Sequence, residues 1–142
     1  MNDPHVSPAP ATPRVHRTPI QLRFADIDML GHVNNVAYAS YVETARVEFL
    51  RSLGEEVTSI IVAHLALDYR RPVHVGRALS VDTWVEKIGR TSVTLQQVVW
   101  ADADRATDVR SVLVFYDYAR GAPMPVPDAM RAALERYHGQ GG

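Results

Sequence analysis

Apolar and polar residues alternate along several stretches of this chain, which is the pattern of β-strands that bury one face. The first stretch runs from about Thr18 to Phe24, and three later ones cover residues 59–70, 79–87 and 91–100. A fifth, residues 109–118, is a long β-branched and aromatic run. Because turn-forming residues such as Pro72, Gly76 and Gly89 separate the later stretches, the pattern predicts five strands.

Between the first two strands the apolar residues change to a helical period. They recur at spacings of four, three, four and four, and they are Tyr38, Val42, Ala45, Phe49 and Leu53. The pair Asn34–Asn35 precedes this stripe as a helix start, and Gly54 follows it as a stop. Further apolar residues flank the stripe, so we expect other elements to enclose this helix. A second, short helix is predicted from Pro127 and Asp128 onward.

The order of these elements predicts an α+β fold. Strands joined by short turns pair in antiparallel fashion, so we expect a five-stranded antiparallel sheet wrapped around one long central helix, with a short C-terminal helix. A length of 142 residues suits a single domain, which we place at residues 17–142. Residues 1–16 are rich in proline and small residues and are predicted to form a disordered arm.

Composition excludes several classes of function. The chain has no cysteine, which excludes disulfides, thiolate zinc sites and cysteine nucleophiles. Its 15 basic and 16 acidic residues give a net charge of −1, without the basic excess of nucleic-acid-binding proteins. No apolar run is long enough for a signal peptide or a membrane span, so a cytoplasmic protein without membrane contact is predicted. The histidines are scattered, and no metal site is predicted.

Polar residues that can do chemistry concentrate where the first strand meets the long helix. They are Asp26, Asp28, His32, Asn34, Asn35 and Glu43. One interpretation is turn and cap chemistry, since Asp and Asn are common at both places. The other is catalysis, because a carboxylate beside the free N–H groups of a helix start supplies a base or nucleophile together with donors for an oxyanion. Acyl transfer to water needs both parts.

The segment FADIDMLGHVNNVAYASYVETAR resembles the hotdog-fold acyl-CoA thioesterases of the 4-hydroxybenzoyl-CoA thioesterase type. The closest pattern is that of a bacterial subgroup, RxxDxDxxGHVNNxxYxxYxExAR. Every fixed position matches, and the matching residues are Arg23, Asp26, Asp28, Gly31, His32, Val33, Asn34, Asn35, Tyr38, Tyr41, Glu43, Ala45 and Arg46. The resemblance extends to residues 68–72 and 89–92 and covers about residues 17–128. It implies the hotdog fold, in agreement with the predicted strand order.

The resemblance also implies roles for the residues of this segment. Asp28 matches the catalytic carboxylate, which acts either as a general base on water or as a nucleophile on the thioester. The backbone N–H of Asn35 matches the donor that polarises the thioester carbonyl. His32 and Asn34 would shape the loop and orient water. Glu43 is a candidate second carboxylate or the ion-pair partner of an arginine. Asp26 is expected to be structural.

The substrate implied by the resemblance is an acyl-CoA, and no separate cofactor is expected. Lys87 and Arg90 are candidates for binding the phosphates of coenzyme A, as is Arg71, while Tyr38 is expected to line or gate the acyl site. A homodimer or homotetramer with shared active sites is implied as well. Two alternatives stay open: a hotdog hydratase or dehydratase acting on enoyl or hydroxyacyl thioesters, and a non-catalytic acyl-CoA-binding module.

Overall fold

The computed structural model describes residues 14–54 and 59–139. Its elements in chain order are β1 (His16–Ile20), a 3-10 turn (Phe24–Asp26), α1 (Asn35–Ser52), β2 (Ile60–Tyr69), β3 (Leu79–Ile88), β4 (Ser92–Ala101), β5 (Asp104–Asp117), β6 (Ala122–Pro123) and α2 (Asp128–Glu135). Most of the predicted arm, residues 1–13, lies outside the described residues. Strand β1 begins at His16, the last residue of the predicted arm. The boundary between arm and domain stays a prediction.

The five long strands form one antiparallel sheet in the order β1-β3-β4-β5-β2, and the two-residue β6 pairs with the end of β5. This confirms the predicted α+β architecture. Strands β3, β4 and β5 follow one another through short turns, whereas β1 and β2 lie at opposite edges of the sheet. Helix α1 connects these two edge strands, so the chain crosses the sheet through the helix.

Helix α1 lies against β1, β3 and β4 and divides the core into two parts. Its N-terminal half packs Tyr38 and Val42 into one apolar cluster. Its C-terminal half packs Phe49 into a second cluster, where α2 contributes Met130 and Leu134. Burial of these apolar side chains is the main favourable term in folding. The two clusters anchor both halves of the helix that was predicted to be enclosed.

Strand β2 differs from its predicted pattern. Regular alternation over residues 59–70 implied one buried face, but Ile61, Val62 and Leu65 are all exposed in this chain. The register with β5 shifts between Val62 and His64, which is the effect of a bulge that inserts one extra residue. Residues 61–66 are exposed on both sides of this shift, so the bulge does not account for the missing buried face, and β2 lies at the edge of the sheet with both faces largely uncovered.

Strand β5 is longer than predicted. The pattern placed this strand at residues 109–118, yet β5 begins at Asp104 and only Asp102 and Ala103 lie in the turn before it. Asp102 has a φ of 51°, a left-handed conformation that Asp tolerates better than most residues. Pairing with β4 therefore outweighs the low strand propensity of this polar segment.

The start of α1 follows the prediction closely. Asn34 is the N-cap residue, and its Oδ1 accepts the N–H of Val36 over 3.1 Å. This bond satisfies one of the first N–H groups of the helix, which have no acceptor within the helix itself. At the other end, the turn after the helix contains Gly54 with a φ of 91°, which glycine adopts without steric cost.

Replacement of Asn34 by Ala should therefore lower the free energy of unfolding by about 1 kcal/mol, the usual effect of losing an N-cap side chain. Asn34→Ser or Asn34→Asp should retain most of the stability, because both can accept the same N–H. Urea unfolding followed by circular dichroism measures the difference. Asn35→Ala is the matched control, since it changes the neighbouring Asn without removing the cap. Equal losses in both alanine variants would contradict the capping role.

Candidate active site

The loop between the 3-10 turn and α1 is closed by backbone hydrogen bonds. Ile27 and Val33 form an isolated antiparallel bridge across its base. Within it, the N–H of Asp28 donates to the carbonyl of His32 over 2.8 Å, and the N–H of Gly31 donates to the carbonyl of Asp28 over 3.1 Å. Gly31 has a φ of 78°, so the reversal uses a conformation that favours glycine. These bonds hold residue 28 in a defined position at the start of the turn.

The carboxylate of Asp28 has two different oxygens. Its Oδ1 accepts the N–H of Leu30 over 2.8 Å and that of His32 over 3.1 Å, so the carboxylate plane is fixed by the loop itself. Within residues 14–54 and 59–139, its Oδ2 makes no hydrogen bond. Asp28 thus presents one oriented, uncommitted oxygen to its surroundings.

Asp28 lines a cleft of ≈ 260 Å³ at the N-terminus of α1. The cleft is lined by Asp28, His32, Val33, Asn35, Tyr38, Tyr69, Arg70, Arg71 and Pro72. Asn35 is the first helical residue, and its N–H has no acceptor among the hydrogen bonds of the described chain. An N–H at this place also lies at the positive end of the helix dipole. The cleft therefore combines a carboxylate oxygen with a free, positively polarised N–H.

His32 is held at the cleft by the segment that follows β2. Its backbone forms an antiparallel bridge with His74, and the two imidazole rings pack edge to face with centroids 4.5 Å apart. The N–H of Val33 donates to the carbonyl of Val73 over 2.8 Å in the same place. A segment that is distant in sequence thus holds the end of the loop that carries Asp28.

Asp26 is not part of the cleft. Its side chain is buried, and it accepts hydrogen bonds from the Tyr41 hydroxyl over 2.8 Å and from the backbone N–H of Arg23 over 3.0 Å. Burial alone would raise the pKa of Asp26, but the hydrogen bonds from Arg23 and Tyr41 outweigh it and lower that pKa below its usual value. Burial, together with the bond to Asp26, raises the pKa of Tyr41. These contacts are those of a structural residue that fastens the first strand to α1.

The remaining acid and amide candidates do not line the cleft. The Asn34 side chain is engaged as the N-cap of α1. Glu43 is exposed two helical turns further along, and among the described residues it forms no ion pair within 4.0 Å. Its negative charge affects Arg46. Burial lowers the pKa of the Arg46 guanidinium, and the attraction of Glu43 partly offsets that effect. The structure therefore separates Glu43 from Asp28.

The four predicted substrate-binding residues fall into two groups. Arg71 and Tyr38 line the cleft. Lys87 and Arg90 lie by the β3–β4 turn, beside the core cluster at the C-terminal half of α1. As an 18-residue helix, α1 spans about 27 Å, so a single copy of the chain does not bring this turn to Asp28. The roles of Lys87 and Arg90 stay predictions.

The cleft also contains a residue that sequence reasoning did not place there. Tyr69, the last residue of β2, lines the cleft, and His74 packs on His32 from outside the lining. Residues 68–72 had been recognised as matching the family pattern, which was the available signal for Tyr69. The spacing of 34 residues between Asn35 and Tyr69 conceals their contact, because it depends on how β2 pairs at the far edge of the sheet.

The fold and the site together define a class of protein: an antiparallel sheet packed around one helix, with an acidic loop delivered to the helix N-terminus. Residues 22–134 match the family model described as the Thioesterase-like superfamily, and the chain belongs to this family.

Three relatives illustrate the match. The acyl-CoA thioester hydrolase YbgC of Escherichia coli O157:H7 is 23% identical over 128 residues, covering 84% of this chain and 96% of that protein. The uncharacterized protein YsmA of Bacillus subtilis is 31% identical over 80 residues, so the match spans only 54% of either chain. A Thermus thermophilus thioesterase complexed with coenzyme A and Zn is 31% identical, with a TM-score of 0.79 over 90% of this chain and 96% of that one.

Two further findings concern the part of the chain that the structure describes. No helix in residues 14–54 and 59–139 is long and apolar enough to cross a membrane. Nor do three or more His, Asp or Glu side chains in these ranges come together as a group that could hold a metal ion.

The hydrogen bonds of Asp26 generate a stability prediction. Asp26→Asn should lower the free energy of unfolding at neutral pH by roughly 1–3 kcal/mol, because the charge-assisted bonds from Tyr41 and Arg23 weaken inside the protein. Since the pKa of Asp26 is lowered from 3.8, its charge stabilises the fold above that pH, and the contribution is lost as the pH falls further.

The free energy of unfolding, measured by urea titration between pH 7 and pH 2.5, checks both parts. The gap between wild type and Asp26→Asn should be widest near neutrality and should close in acid. Asp128→Asn, at an exposed position of α2, is the control and should leave the pH dependence of stability almost unchanged. A gap that stays constant down to the lowest pH would contradict this role of Asp26.

Proposed function

We propose that this protein hydrolyses acyl-CoA thioesters to the free acid and coenzyme A, with Asp28 as the catalytic carboxylate. The observation that supports this most directly is that Asp28, with its uncommitted Oδ2, and Asn35, with its free N–H, line the same cleft. Attack on a thioester needs a base or nucleophile on one side of the carbonyl carbon and a hydrogen-bond donor at its oxygen. The cleft supplies one of each.

The proposed reaction proceeds through a tetrahedral intermediate. As a general base, Asp28 takes a proton from water while the water oxygen bonds to the carbonyl carbon. The negative charge that develops on the carbonyl oxygen is stabilised by the Asn35 N–H, at the positive end of α1. The C–S bond then breaks, and the proton passes to the departing thiolate. As a nucleophile, Asp28 would instead form an acyl anhydride, which water hydrolyses. Neither route uses a separate cofactor.

Other residues of the cleft have supporting roles in this proposal. The backbone N–H of His32 orients the Asp28 carboxylate, and its ring closes one side of the cleft. Tyr38 forms the inner wall, where the acyl group would enter. Arg71 is exposed at the rim, and its nearest acid is Asp104 at 3.5 Å, so its guanidinium is accessible to a phosphate group. Glu43 has no part in the proposed reaction.

The relatives support the substrate class. E. coli YbgC is named an acyl-CoA thioester hydrolase, and the T. thermophilus thioesterase was crystallised with coenzyme A. The complete match to the RxxDxDxxGHVNN pattern, which includes Asp28 and Asn35, is the reason for assigning the 4-hydroxybenzoyl-CoA thioesterase type within this family.

We further propose that two copies of the chain share each site. Met29, Leu30 and Val36 are large apolar residues around the cleft with 102%, 78% and 77% exposure, which a monomer rarely shows in one place. The outer edge of β2 has no partner strand among the described residues, and it carries exposed Leu65 and Val62. An unpaired apolar edge of this kind favours pairing with a second copy.

A two-fold pairing of β2 edges would also bring Lys87 and Arg90 into use. Antiparallel pairing places the Ile60 end of one β2 beside the Tyr69 end of the other. Ile60 pairs with Phe115, whose N–H donates to the carbonyl of Thr91, so the β3–β4 turn lies two strands away from that edge. The turn of one copy would then approach the cleft of the other. A homodimer is the smallest assembly that does this, and a homotetramer would repeat it.

Replacement of Asp28 by Asn tests the catalytic role. The Asn side-chain oxygen can still accept the N–H groups of Leu30 and His32, so the loop should keep its shape while the rate falls by about a hundredfold or more. Thiol release from a panel of short, medium, long and aromatic acyl-CoAs gives the rates. Asp117→Asn is a matched control, because Asp117 also accepts two backbone N–H groups through one oxygen, from Ala119 and Arg120. It should retain full activity.

The same assay separates the alternatives. Equal thiol release by wild type and Asp28→Asn would refute the catalytic assignment. Loss of enoyl absorbance without thiol release would identify a hydratase, and calorimetric binding of acyl-CoA without any turnover would identify a binding module.

Shared sites can be tested by mixing two variants that are each impaired in a different way. Asp28→Asn lacks the carboxylate, and Arg90→Ala should raise KM for acyl-CoA if the partner supplies this arginine. After co-refolding of equal amounts, about half of the pairs are mixed and each has one intact site, so about a quarter of wild-type kcat/KM should return. The control is a mixture of Asp28→Asn with Arg71→Ala, whose defects lie in the same cleft and should not complement. No recovery with Arg90→Ala, or equal recovery in both mixtures, would contradict shared sites.

A further inference from the structure

One hydrogen bond links the end of β2 to the proposed oxyanion donor. The hydroxyl of Tyr69 donates to the backbone carbonyl of Asn35 over 2.9 Å. Tyr69 is the last residue of β2, and Asn35 is the first residue of α1. Both line the cleft that contains Asp28. The bond thus ties an edge strand directly to the helix turn on which the proposed chemistry depends.

With this bond, both polar groups of the peptide unit between Asn35 and Val36 are hydrogen-bonded to side chains. The N–H of that unit donates to the Asn34 side chain over 3.1 Å, and its carbonyl accepts the Tyr69 hydroxyl. The preceding peptide unit, which carries the Asn35 N–H, is held through its carbonyl by the N–H of Ala37 over 2.9 Å. Because first helical turns tend to fray, these contacts matter for how well the free N–H is aimed.

The Tyr69 ring is itself placed by its neighbours. It packs edge to face on Tyr38 with ring centroids 5.3 Å apart, and Tyr38 packs on Tyr41 at 6.0 Å. Tyr41 in turn donates to the buried carboxylate of Asp26. The three tyrosine rings thus form a continuous row from the buried Asp26 to the cleft, and this packing restricts where the Tyr69 hydroxyl can lie.

The exposure of Tyr69 indicates that its bond does little for overall stability. The residue is 49% exposed, and a hydrogen bond at such a position exchanges with water at small net gain. Its consequence is local: it restrains the first turn of α1. An oxyanion donor must be held within about half an ångström of the productive geometry to be effective.

We propose that Tyr69 is a positioning residue that aims the Asn35 N–H at the thioester oxygen through its hydrogen bond to the Asn35 carbonyl. This role rests on the proposed thioesterase function and adds to it a residue from the far edge of the sheet. Tyr69 takes no part in proton transfer. Its hydroxyl contributes in the transition state, where charge develops on the oxygen, more than in substrate binding.

The test is Tyr69→Phe, which removes the hydroxyl and keeps the ring on Tyr38. With the best substrate from the thioester panel, kcat should fall by about 10- to 100-fold while KM changes less than about threefold, the pattern for an interaction made mainly in the transition state. The thermal midpoint should stay close to that of wild type. Tyr118→Phe makes the same chemical change at an exposed position outside the cleft and should leave kcat unaltered.

A second measurement reports the positioning itself. Amide hydrogen exchange followed by NMR should show faster exchange of the hydrogen-bonded Val36 and Ala37 N–H groups in Tyr69→Phe, with the β4 amides unchanged. Together, reduced kcat and faster local exchange support the proposal.

Two results would overturn it: full kcat in Tyr69→Phe, or a raised KM at unchanged kcat, which would make Tyr69 a substrate contact. Failure of the proposed function is distinguishable, because wild type would then release no thiol from any thioester before a variant is compared.

Discussion

One backbone hydrogen bond, from the N–H of Asn34 to the carbonyl of Asp26 over 2.7 Å, sets where α1 begins relative to the acidic loop. Asp26 is fixed on the other side by Arg23 and by Tyr41 of the helix itself. The loop between Asp26 and Asn34 is therefore closed at its base, because its two ends are joined by this hydrogen bond. Asp28 and the Asn35 N–H keep their relation because neither end can move independently of the other.

The two ends of α1 serve different purposes. Its C-terminal half packs Phe49 and Leu50, both fully buried, into the apolar cluster formed with β4, β5 and α2. Its N-terminal end leaves an N–H uncapped beside an oriented carboxylate. Asn35 is exposed, so water can bond to its N–H, and the uncapped donor costs the fold little. The open end of the helix is therefore compatible with a stable fold.

The elements governed by local periodicity were predictable, and those governed by long-range pairing were not. The spacing of Tyr38, Val42 and Phe49 indicated α1, and Asn34 indicated its cap, because both signals depend only on neighbours in sequence. The bulge near Ala63 and the early start of β5 at Asp104 depend on which strand lies alongside. The same limit applies to the site: Asp28 and Asn35 lie on one segment that pattern reasoning reached, whereas Tyr69 arrives through the pairing of β2 with β5.

If the Asn35 N–H is the oxyanion donor that we propose, its nature explains why so much of residues 26–41 is polar or aromatic without entering the proposed reaction. A backbone N–H cannot be removed by changing the side chain of Asn35, so its strength depends on placement alone. Placement is what Asp26, Tyr41 and the Asn34 side chain supply, each through a hydrogen bond to the start of α1 or to its support. Geometry thus accounts for the aromatic and polar residues of this segment, and in the proposed reaction only the Asp28 carboxylate needs to be of one chemical kind.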